Sequence, residues 1–125
     1  MPILPLPDAS ERYGDTLLTG VAASPGTAVG PARIIGGLDD FVRFRSGDVL
    51  VCRTTAPAWT PLLALACAVV TETGGVLAHA AIVAREFGIP AVLAAPMAMT
   101  TLTDGLLVRV DGTHGHVAVP NAGGI

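Results

Sequence analysis

Ala68-Val69-Val70-Thr71-Glu72-Thr73-Gly74-Gly75-Val76-Leu77-Ala78-His79-Ala80-Ala81-Ile82-Val83-Ala84-Arg85-Glu86-Phe87-Gly88-Ile89-Pro90-Ala91-Val92 reads as a strand, a glycine turn, a helix and a returning strand. The apolar run Ala68-Val69-Val70 has the composition of a buried strand, and Gly74-Gly75 gives a loop whose backbone can approach a ligand closely. Ala80 to Phe87 is rich in helix formers, and Gly88 is a natural stop. Ile89 to Ala94 then reads as a strand, and a strand, helix, strand unit favours parallel pairing. The fold class expected from this stretch is α/β. His79 falls where the glycine turn meets the helix.

That position has chemical consequences. The first N–H groups of a helix lack intrahelical partners and carry the positive end of the macrodipole, so anions settle there. No Ser, Thr, Asp or Asn stands at Leu77 or Ala78 to cap the helix, which leaves those N–H groups for water, other backbone or a bound anion. The same field favours the neutral imidazole, which is the nucleophilic form. If His79 attacked a phosphoryl group, the N–H groups of the turn could hold its oxygens. Spacing alone is equally compatible with a structural histidine.

These residues resemble the signature of the phosphohistidine domain of PEP-utilising enzymes, the swivelling, mobile domain of pyruvate phosphate dikinase, PEP synthase and rifampin phosphotransferase. The resemblance extends from Gly20-Val21-Ala22-Ala23-Ser24-Pro25-Gly26-Thr27-Ala28-Val29-Gly30 through Gly47-Asp48-Val49-Leu50-Val51 and Pro57-Ala58-Trp59-Thr60-Pro61. It ends at Asp104-Gly105 and Val110-Asp111-Gly112, so nearly the whole chain is covered in the usual order. It implies a swivelling β/β/α domain of layered sheets with helices on one side. His79 is then the phosphoryl acceptor, with Thr71, Gly74 and Gly75 as its supporting turn. The implied function is a phosphoryl carrier that takes the group from one site and delivers it to another. One site belongs to a nucleotide-binding module and the other to a PEP/pyruvate-binding or different acceptor module. Mg2+ and nucleotide are expected on those partners, with no cofactor or metal bound by this chain.

The sequence also departs from the family. Relatives often place Ser, Thr or Cys where Ala78 stands, and some plant dikinases carry a regulatory threonine at the position of Leu77. Ala94 and Met99 replace residues that are more often Gly and Thr. The departure at Ala78 keeps an alternative in view, a noncatalytic anion-binding or regulatory interaction module with the same fold. A hydrolase using His79 as general base is weaker, because no nucleophile or carboxylate orienter stands near it in sequence.

Composition sets the outer bounds. A chain of 125 residues, 51% apolar, supports one core. Aromatics make up only 4%, so aliphatic side chains must fill it. The formal charge of −3 argues against a nucleic-acid surface. No apolar run is long enough to span a bilayer and the N-terminus lacks a signal-peptide pattern, which makes a cytoplasmic location the default. The chain contains no lysine, so neither a Walker-type phosphate loop nor a Schiff-base mechanism is available. Scattered carboxylates, with Asp39-Asp40 the only adjacent pair, make a magnesium site improbable. Cys52 and Cys67 form no CxxC pair and read as free packing thiols. His114 and His116 form an HxH pair without a third ligand, which reads as a turn.

The expected organisation is an extended arm or linker over residues 1–16, a phosphohistidine swivelling domain over 17–120 and a flexible tail over 121–125. Strands are expected at Leu17 to Ala23, Thr27 to Ile35 and Val49 to Arg53, with a terminal hairpin of Leu106 to Val110 and His116 to Val119. Thr60-Pro61 reads as an N-cap and first turn of a short helix ending near Ala66. Trp59 is expected to anchor that loop. Gly75 is expected to sit at positive φ against the ligand, so that a valine there would obstruct phosphate.

Overall fold

The structure, a computed structural model, describes residues 16–120, so the expected arm before Thr16 and the tail over 121–125 lie outside the described residues. In chain order the elements are β1 (Thr16–Thr19), β2 (Val21–Ser24), β3 (Thr27–Ile34), β4 (Val49–Cys52), α1 (Thr60–Leu65), β5 (Ala68–Thr71), α2 (His79–Phe87), β6 (Ala91–Leu93), α3 (Ala98–Thr101), β7 (Leu107–Asp111) and β8 (His116–Ala118). Short 3-10 turns occupy Leu38–Arg43 and Pro57–Trp59.

The eight strands follow the order β1-β8-β7-β3-β4-β5-β6-β2. Strands β3, β4, β5 and β6 are parallel, each paired with the next. The remaining pairs are antiparallel. β3 belongs to both halves: Thr27 to Pro31 pairs with β7, whereas Ala32 to Ile34 pairs with β4. The switch falls at Gly30-Pro31, where proline lacks a ladder donor and a Cβ on Gly30 would lie 2.6 Å from the Gly47 carbonyl oxygen.

Period-2 alternation then builds two cores from one set of strands. Val49, Val51, Ala68, Val70 and Val92 face the antiparallel strands and pack with Leu18, Val108, Val110 and Val117. Leu50, Cys52, Val69, Ala91 and Leu93 face the other way, onto Leu62 and Leu63 of α1 and Ala80, Ala81, Val83 and Ala84 of α2. Strands covered on both faces explain the continuous apolar runs in the sequence. Each fully buried Val or Leu contributes about 1.5–3 kcal/mol through apolar burial. α1 and α2 lie on one face of the parallel strands and a second sheet on the other, the layered β/β/α arrangement, while the short α3 packs through Ala98 into the core between the sheets.

Leu17 to Ala23 is two strands rather than the single one expected. β1 joins β8 and β2 joins β6, at opposite ends of the strand order, with only Gly20 between them. Gly20 donates its N–H to the Gly115 carbonyl at 2.9 Å, and a Cβ there would lie 2.3 Å from the Leu93 carbonyl oxygen. Glycine alone lets the chain cross between the sheets at this point. The strand expected over Ile89 to Ala94 is confined to Ala91–Leu93, since Ala94 adopts φ 54°. The 3-10 turn at Leu38–Arg43 and the short helix α3 fall in stretches without amphipathic periodicity.

Candidate functional site

β4 and β5 end side by side, with Cys52 opposite Thr71, so the loops leaving them emerge together at the C-terminal edge of the parallel strands. Open α/β sheets collect ligands at this edge. One loop carries Thr55 and leads into α1; the other is the glycine turn that leads into α2.

The turn is fixed from several directions. The Arg53 carbonyl accepts the N–H groups of Glu72 and Thr73, each at 3.1 Å, and the Thr73 hydroxyl at 3.1 Å. Thr71 is buried, and its hydroxyl donates to the Thr73 carbonyl. Gly74 adopts φ 114°, and the Ala78 N–H closes on the Gly75 carbonyl at 2.9 Å. Arg85, on α2, donates to the Val76 carbonyl at 2.7 Å and to the Ala23 carbonyl of β2 at 2.8 Å. One guanidinium therefore ties the turn to the sheet.

His79 is the first residue of α2 and is half-buried. The N-cap, Ala78, is extended at φ −68° and ψ 156° and offers no side-chain acceptor to the first-turn N–H groups. The Thr55 Oγ1 lies 2.9 Å from His79 Nδ1, and the Thr60 Oγ1 lies 3.4 Å from Nε2. The ring is thus held between hydroxyls on both edges, tightly at Nδ1 and loosely at Nε2. Val76 and Leu77, 52% and 83% exposed, make the adjoining surface apolar.

Sequence reasoning missed both threonines as site residues. Thr60 is not the N-cap expected of it: Trp59 occupies that position, no side-chain cap bond forms, and the Thr60 hydroxyl turns to the histidine instead. Trp59 packs edge-on to Phe41 with ring centroids 5.2 Å apart, which fixes the start of α1. The expectation for Gly75 also needs correction. The strained glycine is Gly74, where a Cβ would stand 3.2 Å from the Ala78 Cβ, while a Cβ on Gly75 would meet nothing within 4 Å.

The remaining candidates take no part in the contacts at His79. Cys52 and Cys67 are free thiols. Burial, with a smaller contribution from the Glu72 charge, pushes the Cys52 thiol up to about 12, which makes it inert as a nucleophile near neutrality. His114 and His116 flank the β7–β8 turn; β7 runs antiparallel to β3 with Asp111 opposite Thr27, so this turn is at the far end of the sheet from His79. There His114 Nδ1 is 2.8 Å from the Asp111 carboxylate. Among the described residues no group of three or more His, Cys, Asp or Glu side chains is placed to hold a metal ion, and no helix is long and apolar enough to cross a membrane.

Residues 44–115 match the family described as PEP-utilising enzyme, mobile domain. Over 109 residues the chain is 49% identical to the uncharacterized phosphotransferase YvkC of Bacillus subtilis (strain 168), covering 87% of this chain and 13% of that protein. It is 48% identical to the phosphoenolpyruvate synthase of Aeropyrum pernix, covering 83% of this chain and 13% of the relative. Identity to the rifampicin phosphotransferase of Streptomyces sviceus is 39%, covering 84% and 12%. The chain thus spans about an eighth of the length of these relatives. Among solved structures, an NMR structure of Enzyme I (nEIt) superposes with a TM-score of 0.53 and 32% identity, covering 61% of this chain and 31% of that one.

Proposed function

The chain belongs to the mobile-domain family of PEP-utilising enzymes, and from that premise we propose that it is a phosphoryl carrier that accepts the group on His79 and passes it between partner modules. The observation that carries this reading is the setting of His79: a helix start with no side-chain cap, a turn fixed by Arg53 and Arg85, and hydroxyls instead of carboxylates against the imidazole. A carboxylate at Nδ1 would suit a general base; a neutral hydroxyl leaves the ring a nucleophile and adds no repulsion toward an incoming phosphate.

Nε2 is the acceptor nitrogen in this reading. In this reading Thr55 closes Nδ1 at 2.9 Å by accepting a hydrogen bond from Nδ1–H, so the Nε2 lone pair faces the incoming phosphorus. As the N–P bond forms, the donor P–O bond breaks and its electron pair leaves on the donor oxygen. The positive charge that develops on the ring is shared with the Thr55 hydroxyl through Nδ1–H. The first-turn N–H groups of α2 are available to the phosphoryl oxygens. Donor and acceptor chemistry belongs to a nucleotide-binding module and a PEP/pyruvate-binding or other acceptor module, which would hold Mg2+ and nucleotide.

Incubation with a cognate donor module, followed by mass spectrometry under neutral or basic conditions that spare phosphoramidates, tests the assignment. Label is expected on His79 alone, with His114 and His116 unmodified and no label in His79→Ala. Label retained in His79→Ala would refute it. The absent hydroxyl at Ala78 favours the second reading, a noncatalytic anion-binding or regulatory module. That module would bind phosphate at the same turn and form no phosphohistidine.

A further inference from the structure

We propose that the Thr60 hydroxyl is a phosphoryl-binding group, one that supplies from α1 the polar contact that Ala78 does not provide from the turn. The inference rests on the carrier reading of His79. A threonine at the start of a helix ordinarily caps it, but here the hydroxyl makes no cap bond and is directed at His79 Nε2, 3.4 Å away. Its location is set by packing. The Thr60 N–H bonds to the Pro57 carbonyl, Pro61 follows in the first turn, and Leu62 and Leu63 are buried against the sheet.

The inequality between the two edges of the ring makes the hydroxyl available. At 3.4 Å the Thr60 contact is at the outer limit of a hydrogen bond, whereas Thr55 holds Nδ1 at 2.9 Å. Little is lost when Nε2 uses its lone pair to bond phosphorus and the P–O bond of the donor breaks. The Thr60 O–H, released from Nε2, then rotates to one of the phosphoryl oxygens that the new N–P bond brings beside it. No proton leaves Thr60; its hydrogen bond passes from a neutral nitrogen to an anionic oxygen, a stronger partner.

Potassium phosphoramidate, which phosphorylates accessible imidazoles with release of ammonia, tests this without a partner protein. Wild type, Thr60→Val, Thr60→Ala and Thr60→Ser would be treated in parallel, and phosphohistidine at His79 followed by mass spectrometry and 31P NMR. His114, exposed at the far end of the sheet, serves as the internal reference. Relative to His114, labelling of His79 is expected to fall about 10-fold or more in Thr60→Val and Thr60→Ala and to stay within about 2-fold in Thr60→Ser. Melting curves for each variant separate this loss from unfolding. The proposal is overturned if either hydroxyl-free variant labels like wild type, or if Thr60→Ser is impaired as much as Thr60→Val. Failure of the carrier reading would show separately, as a chain that phosphoramidate labels at His79 but a donor module does not.

Discussion

At the scale of single residues, Gly74 and Gly75 are adjacent in sequence but have different physical roles. Gly74 at φ 114° occupies backbone space that costs an L-residue about 1–2 kcal/mol, and a side chain there would press on Ala78 next to His79. Gly74→Val is therefore expected to lower the urea midpoint and to impair phosphoryl acceptance, whereas Gly75→Ala should leave both close to wild type. Equal effects of the two substitutions would show that the turn is not built as described. Ala94 presents the converse case. It stands at φ 54°, in backbone space that suits glycine, so Ala94→Gly should stabilise the fold by about 0.5–1 kcal/mol, read as a rise in melting temperature. The histidine and the glycines could be read in sequence because turn, helix start and imidazole are contiguous. Thr55 and Thr60 could not, since only the pairing of β4 with β5 brings them to His79.

Among elements, the β7–β8 turn is organised by Asp111, whose carboxylate accepts the N–H groups of Thr113 and His114 and meets the His114 ring. Burial raises the Asp111 carboxyl, but hydrogen bonds and charge from His114, with the Thr113 N–H, outweigh it and hold the group below the usual carboxylate range. A depressed folded-state value gives stability that is fully present above the unfolded value of about 3.9 and is lost as pH falls through the folded one. Urea midpoints measured downward from about pH 6 should therefore fall below about pH 4 in wild type, with a shallower fall in Asp111→Asn. Parallel slopes would contradict the role given to Asp111. The glycine turn depends in the same way on Arg85. Lysine cannot span the Val76 and Ala23 carbonyls with a planar fork, so Arg85→Lys should slow acceptance at His79 more than it lowers the melting temperature. The hairpin was legible from its Asp-Gly-Thr-His-Gly turn. The division at Gly20 was not, because apolar residues continue on both sides and only the Gly115 and Leu93 carbonyls explain it.

For the whole molecule, the layered architecture follows from alternation along β4, β5 and β6, which sends neighbouring side chains to different cores. The sequence made the strand, helix, strand unit visible; the sharing of β3 between two sheets is a property of tertiary pairing. With its one imidazole on an uncapped helix start, this domain is proposed as the bearer of the phosphoryl group between partner modules. Purified alone, it is expected to neither hydrolyse ATP nor consume PEP, and activity should appear on addition of a nucleotide-binding or PEP-binding module. A carrier must also leave each site, so these contacts should be transient. The most direct measurement is a discharge experiment: label His79 with a donor module, isolate the phosphorylated chain, and mix it with an acceptor module in the absence of nucleotide. The carrier account predicts that label leaves His79 and appears on the acceptor faster than phosphohistidine hydrolyses in buffer. Label that stays on His79 for the hydrolytic lifetime of the phosphoramidate, or that never forms there, would contradict it.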